Sequence, residues 1–250
     1  MKNCQSKKLT LNKFGEYFNV HVFKTTGMLN GYMGKQKWFH QLPLKKGSNG
    51  DNRVLATTHF HANGKSKKLA DIYSDIAIIA RIVNAPSEGD KLIRNMQEEI
   101  EAVRQRTADL PKPRVFCEEW GKPLIASQLW VKELVEAAGG EFVGTPGSQI
   151  SFEQVAAANP DVIIAAWCGA GDRVPLEKIA RSRNWENISA VRSSRVYCIR
   201  DEYLNTPAPT LLCGLHGLAS AIHPEHFPQA EGLRCINSAM TPPVTSDRGR

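Results

Sequence analysis

With 250 residues, 42% hydrophobic and 23% charged, the chain is long enough for one large domain or two small lobes and has an ordinary globular composition. No apolar run approaches the roughly eighteen residues of a membrane-crossing helix, and MKNCQSKKLTLNKFGEYF, with no apolar stretch behind its lysines, does not read as a secretion signal. The net charge is +7, much of it in the first seventy residues, where the lysines follow no helical face; a solvated, poorly structured head is a better reading than a nucleic-acid or anionic-surface contact.

Residues 1–53 show no sustained periodicity, and KTTGMLNGYMGKQ and KKGSNGDNR are turn and loop chemistry. VLAT (54–57) has the character of a short strand. In LADIYSDIAIIARIVNA, Leu69, Ile72, Ile76, Ile79 and Val83 fall at spacings of three and four, which predicts an amphipathic helix. KLIRNMQEEIEAVRQRTADL repeats the pattern through Leu92, Ile93, Met96, Ile100 and Val103, and LPKP stops it at 110–113.

Beyond Pro113 short strands and helices alternate. RVFC, EFVG, DVIIAAW and RVYCIR read as strands. SQLWVKELVEAAGG, SFEQVAAANP, PLEKIARSR and APTLLCGLHGLASAIHP read as helices. Ser151 opens the second of these helices, and Gly139-Gly140 close the first. That order predicts an α/β fold, a parallel-sheet lobe (βαβαβαβα) preceded by a long helix.

Cys4, Cys117, Cys168, Cys198, Cys213 and Cys235 show no CxxC and no zinc spacing. Those in VFCEE, AAWCG and VYCIR are expected as small buried hydrophobes. His59 and His61 alternate as on one strand face but lack a third ligand. His216 is expected to be a packed residue.

Ligands of open α/β sheets sit outside the carboxyl ends of the strands. Here those ends carry Glu118-Glu119-Trp120, Gly144-Thr145-Pro146-Gly147, Trp167-Cys168-Gly169-Ala170-Gly171-Asp172 and Arg200-Asp201-Glu202-Tyr203. Three of the four hold an aromatic among polar groups. Trp120 and Trp167 suit a ligand contact or a core cap equally well, whereas Trp130 and Trp185 are expected in packing. Glu118 and Glu119 could form an acid/base pair, but no Ser-His-Asp set, nucleophile elbow or HExxH motif accompanies them, and they are expected as rim residues. GAGD lacks the rest of a phosphate-binding fingerprint and reads as a tight loop beside a cleft.

Residues 66–230 resemble the substrate-binding proteins of ABC importers for cobalamin and ferric siderophores, the helical-backbone class III periplasmic binding proteins. ELVEAAGG followed by VAAANPDVII is the most diagnostic part. The resemblance implies two α/β lobes joined by one long helix, with a large metal chelate held between them and no catalysis. On that basis residues 1–65 form a divergent or partial N-terminal lobe, 66–109 a helical connector, 110–230 the C-terminal lobe and 231–250 a disordered tail. Glu119, Trp120, Trp167, Gly169, Asp201, Glu202 and Tyr203 would contact the ligand; no resident cofactor or metal is expected. The implied partners are cobalamin or a ferric siderophore and an ABC permease, with no nucleic acid. The family is periplasmic or surface-attached, and the missing export signal leaves a cytoplasmic corrinoid-binding or interaction domain as the alternative.

Overall fold

A computed structural model of the chain describes residues 67–236. The strand expected at 54–57, His59 and His61 lie outside them.

Helix α1 (Leu69–Ile82) buries Leu69, Ile72 and Ala80, and its first turn is capped by Asp71, whose carboxylate accepts the Lys68 N–H at 2.6 Å. Asn84, at a φ of +58°, turns the chain into α2 (Pro86–Thr107), which Pro86 opens from the N1/N2 position. Its 22 residues span about 33 Å at 1.5 Å per residue. Met96, Ile100 and Val103 form its buried seam as the spacing predicts. Gly89 lies where α2 crosses α1, and a side chain there would collide with Ala80.

The sheet follows. Strand β1 (Arg114–Gly121) turns through Lys122-Pro123 into β2 (Leu124–Ala126), then come α3 (Leu129–Ala137), β3 (Glu141–Phe142), α4 (Phe152–Ala158) and β4 (Val162–Ala165). Helices α5 (Leu176–Ser182) and α6 (Ser189–Arg192) precede β5 (Val196–Ile199), and α7 (Asp201–Leu204), α8 (Leu211–Ile222) and β6 (Leu233–Cys235) complete the described fold. The sheet runs β2-β1-β4-β5-β6, with β3 also on β1. The pairs β3/β1, β1/β4 and β4/β5 are parallel, as the alternation predicts.

Two antiparallel partners were not legible. Strand β2 forms a hairpin with β1, and β6 adds to β5, with Ile236 donating its N–H to Val196 O at 2.8 Å. The latter corrects the expected tail from 231: Ile236 is 7% exposed, so a short apolar segment has enough to bury once an edge strand offers it a ladder. Residues 237–250 lie outside the described part.

Strand alternation divides the core in two. On one face Val115, Cys117, Val162, Ile164 and Ile199 meet α1, α2, α3 and α8. On the other Phe116, Ile163, Ala165, Val196 and Cys198 meet α4, α5 and α6, with Trp185 filled in beside them. Trp130 and Trp185 are fully buried, as expected. Local signals behave as read: Gly139, at +78°, ends α3 with Gly140 N donating to Val135 O at 2.9 Å, and Ser151 Oγ caps α4 by accepting from Gln154 N at 3.2 Å.

Candidate functional site

The carboxyl ends of β1, β4 and β5 come together at one end of the sheet because all three run parallel. At the end of β1 the register with β2 slips between Glu118 and Trp120, a bulge that spends Glu119 without a partner across the ladder. Strand alternation parts the two acids. Glu118 stays on the face that carries Phe116, and Glu119 is released toward the loop after β4.

Glu118 is fully buried, which corrects its expected place on a rim. Arg183, 6% exposed, grips it with both ends of the guanidinium, NH1 to Oε2 at 2.7 Å and NH2 to Oε1 at 2.8 Å. The Trp167 indole N–H donates to the same Oε1 at 2.8 Å. Burial raises the Glu118 pKa, and the Arg183 guanidinium and the indole donor oppose that rise. Arg183 is itself flanked by rings, 4.9 Å from the Phe152 centroid and 4.8 Å from that of Trp185. Strand parity could have found the inward-facing Glu118. Nothing in RSRNW marks Arg183 as its partner, 65 residues away.

Trp167 is half-buried and held on a second side by Gly121, where a Cβ would stand 2.6 Å from the ring. Backbone bonds repeat the link, Ala166 N to Glu118 O at 2.9 Å and Cys168 N to Glu119 O at 3.2 Å. Trp120 is 43% exposed, and its indole N–H is satisfied by Lys122 O at 2.8 Å. Ile78 is the other large hydrophobic residue so exposed among the described residues.

Glu119 accepts from Gln128 Nε2 at 2.6 Å, and partial burial lifts its pKa, offset by Gln128 and Cys168. Cys168 is exposed rather than buried as expected, and Asn205 Nδ2 approaches its sulfur at 3.4 Å. Its thiol is nonetheless pushed up to about 12, first by surrounding protein that limits its hydration and then by the Glu119 and Asp201 charges. A thiol so protonated is a poor nucleophile at neutral pH. With the two acids held by separate partners, no acid/base pair forms here.

The loop after β4 is closed by Asp201, whose Oδ2 accepts from Gly169 N at 2.6 Å and Oδ1 from Gly171 N at 2.9 Å. Both glycines have positive φ, +78° and +59°, and a Cβ at either would meet open space. The Gly169 and Gly171 amides are thus occupied by the protein's own carboxylate and are not turned to a phosphate. Glu202 pairs with Arg200 Nε at 2.6 Å, both half exposed. Tyr203 packs on the core beside α8 and against Gly232. The structure therefore gathers Glu119, Trp120, Trp167, Gly169 and Asp201 at the strand ends, while Tyr203 serves packing.

Other expected features fall elsewhere. His216 is not packed in the core but pairs at the surface with Glu99, Nε2 to Oε1 at 2.9 Å. A shallow groove of about 590 Å³ between α1, α2 and α3, lined by Tyr73, Arg104 and Glu133 among others, contains none of the strand-end residues. No group of three metal-ligating side chains occurs among the described residues, and no described helix is long and apolar enough to cross a membrane.

The Periplasmic binding protein family model matches residues 51–203. The chain is 28% identical over 151 residues to the "Vitamin B12-binding protein" of Vibrio parahaemolyticus, covering 58% of this chain and 53% of that protein. It is 23% identical over 171 residues to the "Uncharacterized ABC transporter substrate-binding lipoprotein YvrC" of Bacillus subtilis, covering 65% and 53%. The chain thus spans about half the length of these curated relatives. Among solved structures, a periplasmic heme-binding protein from Pseudomonas aeruginosa superposes with a TM-score of 0.61 at 17% identity, over 68% of this chain and 66% of that one. The periplasmic vitamin B12-binding protein BtuF of Vibrio cholerae gives 0.51 at 22% identity, over 63% and 62%. These two likenesses concern the fold, and it is the match over residues 51–203, more than half the chain, that decides the family: the chain belongs to the periplasmic binding proteins.

Proposed function

We propose that the chain is a substrate-binding protein of an ABC import system and that its ligand is a large ring-bearing metal chelate, cobalamin first, with heme or a ferric siderophore as the related choices. The observation that carries the reading is Trp120. A tryptophan left 43% exposed at the end of β1, with its N–H already satisfied and Trp167 at the end of the adjacent strand, is an apolar surface awaiting a flat partner. Relatives named for vitamin B12 support the choice. In this reading Glu119, Trp120, Trp167, Gly169 and Asp201 form one wall of the site, Glu202 and Tyr203 flank it, and the protein delivers its ligand to a permease without transforming it.

Isothermal titration with cyanocobalamin, hemin and a ferric hydroxamate tests the proposal. One of them should bind, and Trp120→Ala should weaken that binding about tenfold or more. No heat from any of the three up to about 1 mM, where binding is worth only about 4 kcal/mol, would sink the reading.

A further inference from the structure

The ion pair of Glu118 and Arg183 is a buried polar interaction that the proposed binding leaves unused. Both side chains are at least nine-tenths buried, at 0% and 6% exposure. A pair so placed contributes little net stability over well-packed apolar residues, because desolvation of both charges offsets their attraction. Stability therefore does not account for it. What the pair does have is a third member: Oε1 of Glu118 receives both Arg183 NH2 and the indole N–H of Trp167, each at 2.8 Å.

We propose that Glu118, anchored by Arg183, is a positioning residue that fixes the rotation of the Trp167 ring in the ligand wall. The inference rests on the reading of that wall given above. Trp167 has two soft side-chain torsions. Gly121 restrains the ring from one side by contact, which limits its tilt but supplies no polar direction. The carboxylate supplies it, since a charge-assisted bond to a single N–H selects one rotamer and one ring orientation. Arg183, wedged between Phe152 and Trp185, keeps the carboxylate from following the indole if the ring is pushed. A ligand stacking on Trp167 then meets a ring already in place and loses less entropy on binding.

The test replaces the pair by apolar residues, Glu118→Leu with Arg183→Met, and follows indole hydrogen exchange by NMR in isotope-labelled protein. Trp130, whose N–H donates to Leu204 O at 2.7 Å, is the internal reference. The double variant should stay folded while exchange at Trp167 accelerates about tenfold or more and Trp130 is unchanged. Affinity for cyanocobalamin should fall about tenfold, and the fall should vanish once Trp167→Phe is already present, since the cycle isolates effects carried by that ring. Should the double variant unfold, Glu118→Gln, which keeps the shape and an acceptor, takes its place, with a smaller acceleration in the same direction. A folded variant with unchanged Trp167 exchange overturns the proposal, as does an affinity loss that persists undiminished beside Trp167→Phe. Failure of the wild type to bind any probe refutes the corrinoid reading alone, because the exchange measurement needs no ligand.

Discussion

Arg183→Met leaves the Glu118 carboxylate buried with one donor where it had three. The methionine fills most of the volume, so the loss is electrostatic. Removing one partner of a fully buried pair costs about 3–5 kcal/mol, because the remaining charge keeps its desolvation penalty and loses its compensation. The ring contacts at 4.9 and 4.8 Å add about 1 kcal/mol more. The cost depends on pH, and its sign is fixed. Burial already raises the Glu118 pKa in the folded protein, and loss of Arg183 removes the main opposing influence, so the folded pKa rises further. An acid whose folded pKa lies above its unfolded value binds protons preferentially when folded, and stability falls as pH climbs from the unfolded pKa through the folded one. The deficit should therefore be smaller near about pH 5 than near about pH 8. Urea unfolding followed by far-UV circular dichroism at both pH values measures it, and adding Glu118→Leu should restore most of the loss. A deficit below about 1 kcal/mol, or one equal at the two pH values, would refute the reasoning, since it would place the carboxylate in contact with water.

Three further outcomes follow from the same geometry. Glu119→Gln removes a partly buried carboxyl whose pKa burial has raised, so the variant should be the more stable protein at neutral pH, with the gap closing in acid; thermal melts across that range would show no pH-dependent gap if Glu119 were well solvated. Gly214→Ala would press a methyl into the Tyr203 carbonyl and to within 2.7 Å of Leu204 Cδ2, and should cost about 1–3 kcal/mol in chemical denaturation; a neutral result would mean that α7 yields freely. Cys168, with its thiol near 12, should react with iodoacetamide at pH 7.5 about a hundredfold more slowly than glutathione, and peptide mapping that shows comparable rates would remove the account of a thiol held protonated by burial and neighbouring charge.

Much of the fold is written in local pattern. The three- and four-residue spacings of α1 and α2, the glycine stop at Gly139-Gly140 and the Ser151 cap each act within a few residues of the signal that announces them. So does the four-residue run of β4, fully buried because helices cover both faces of the sheet. What escaped depends on partners distant in sequence. LRC has too few apolar residues to declare a strand, and becomes β6 only because β5 offers its edge. The bulge at Glu119 is invisible in RVFCEEWG, and it leaves Glu119 without a partner across the ladder with β2. That the candidate residues stand at the strand ends was legible, because strand ends follow from topology. The wall's internal wiring, Asp201 across to Gly169 and Gly171 or Arg183 back to Glu118, crosses 30 to 65 positions and leaves no spacing to read.

The closure of the Gly169–Asp172 loop by Asp201 has a calorimetric consequence. With its amides bound to that carboxylate, Glu202 on Arg200, Glu119 on Gln128 and the Trp120 N–H on Lys122, the wall has few polar groups left to exchange for those of a ligand. What it has left is aromatic surface. Association there should carry a distinctly negative heat-capacity change and an affinity almost indifferent to added salt, the signature of a site that recognises area and flatness before charge.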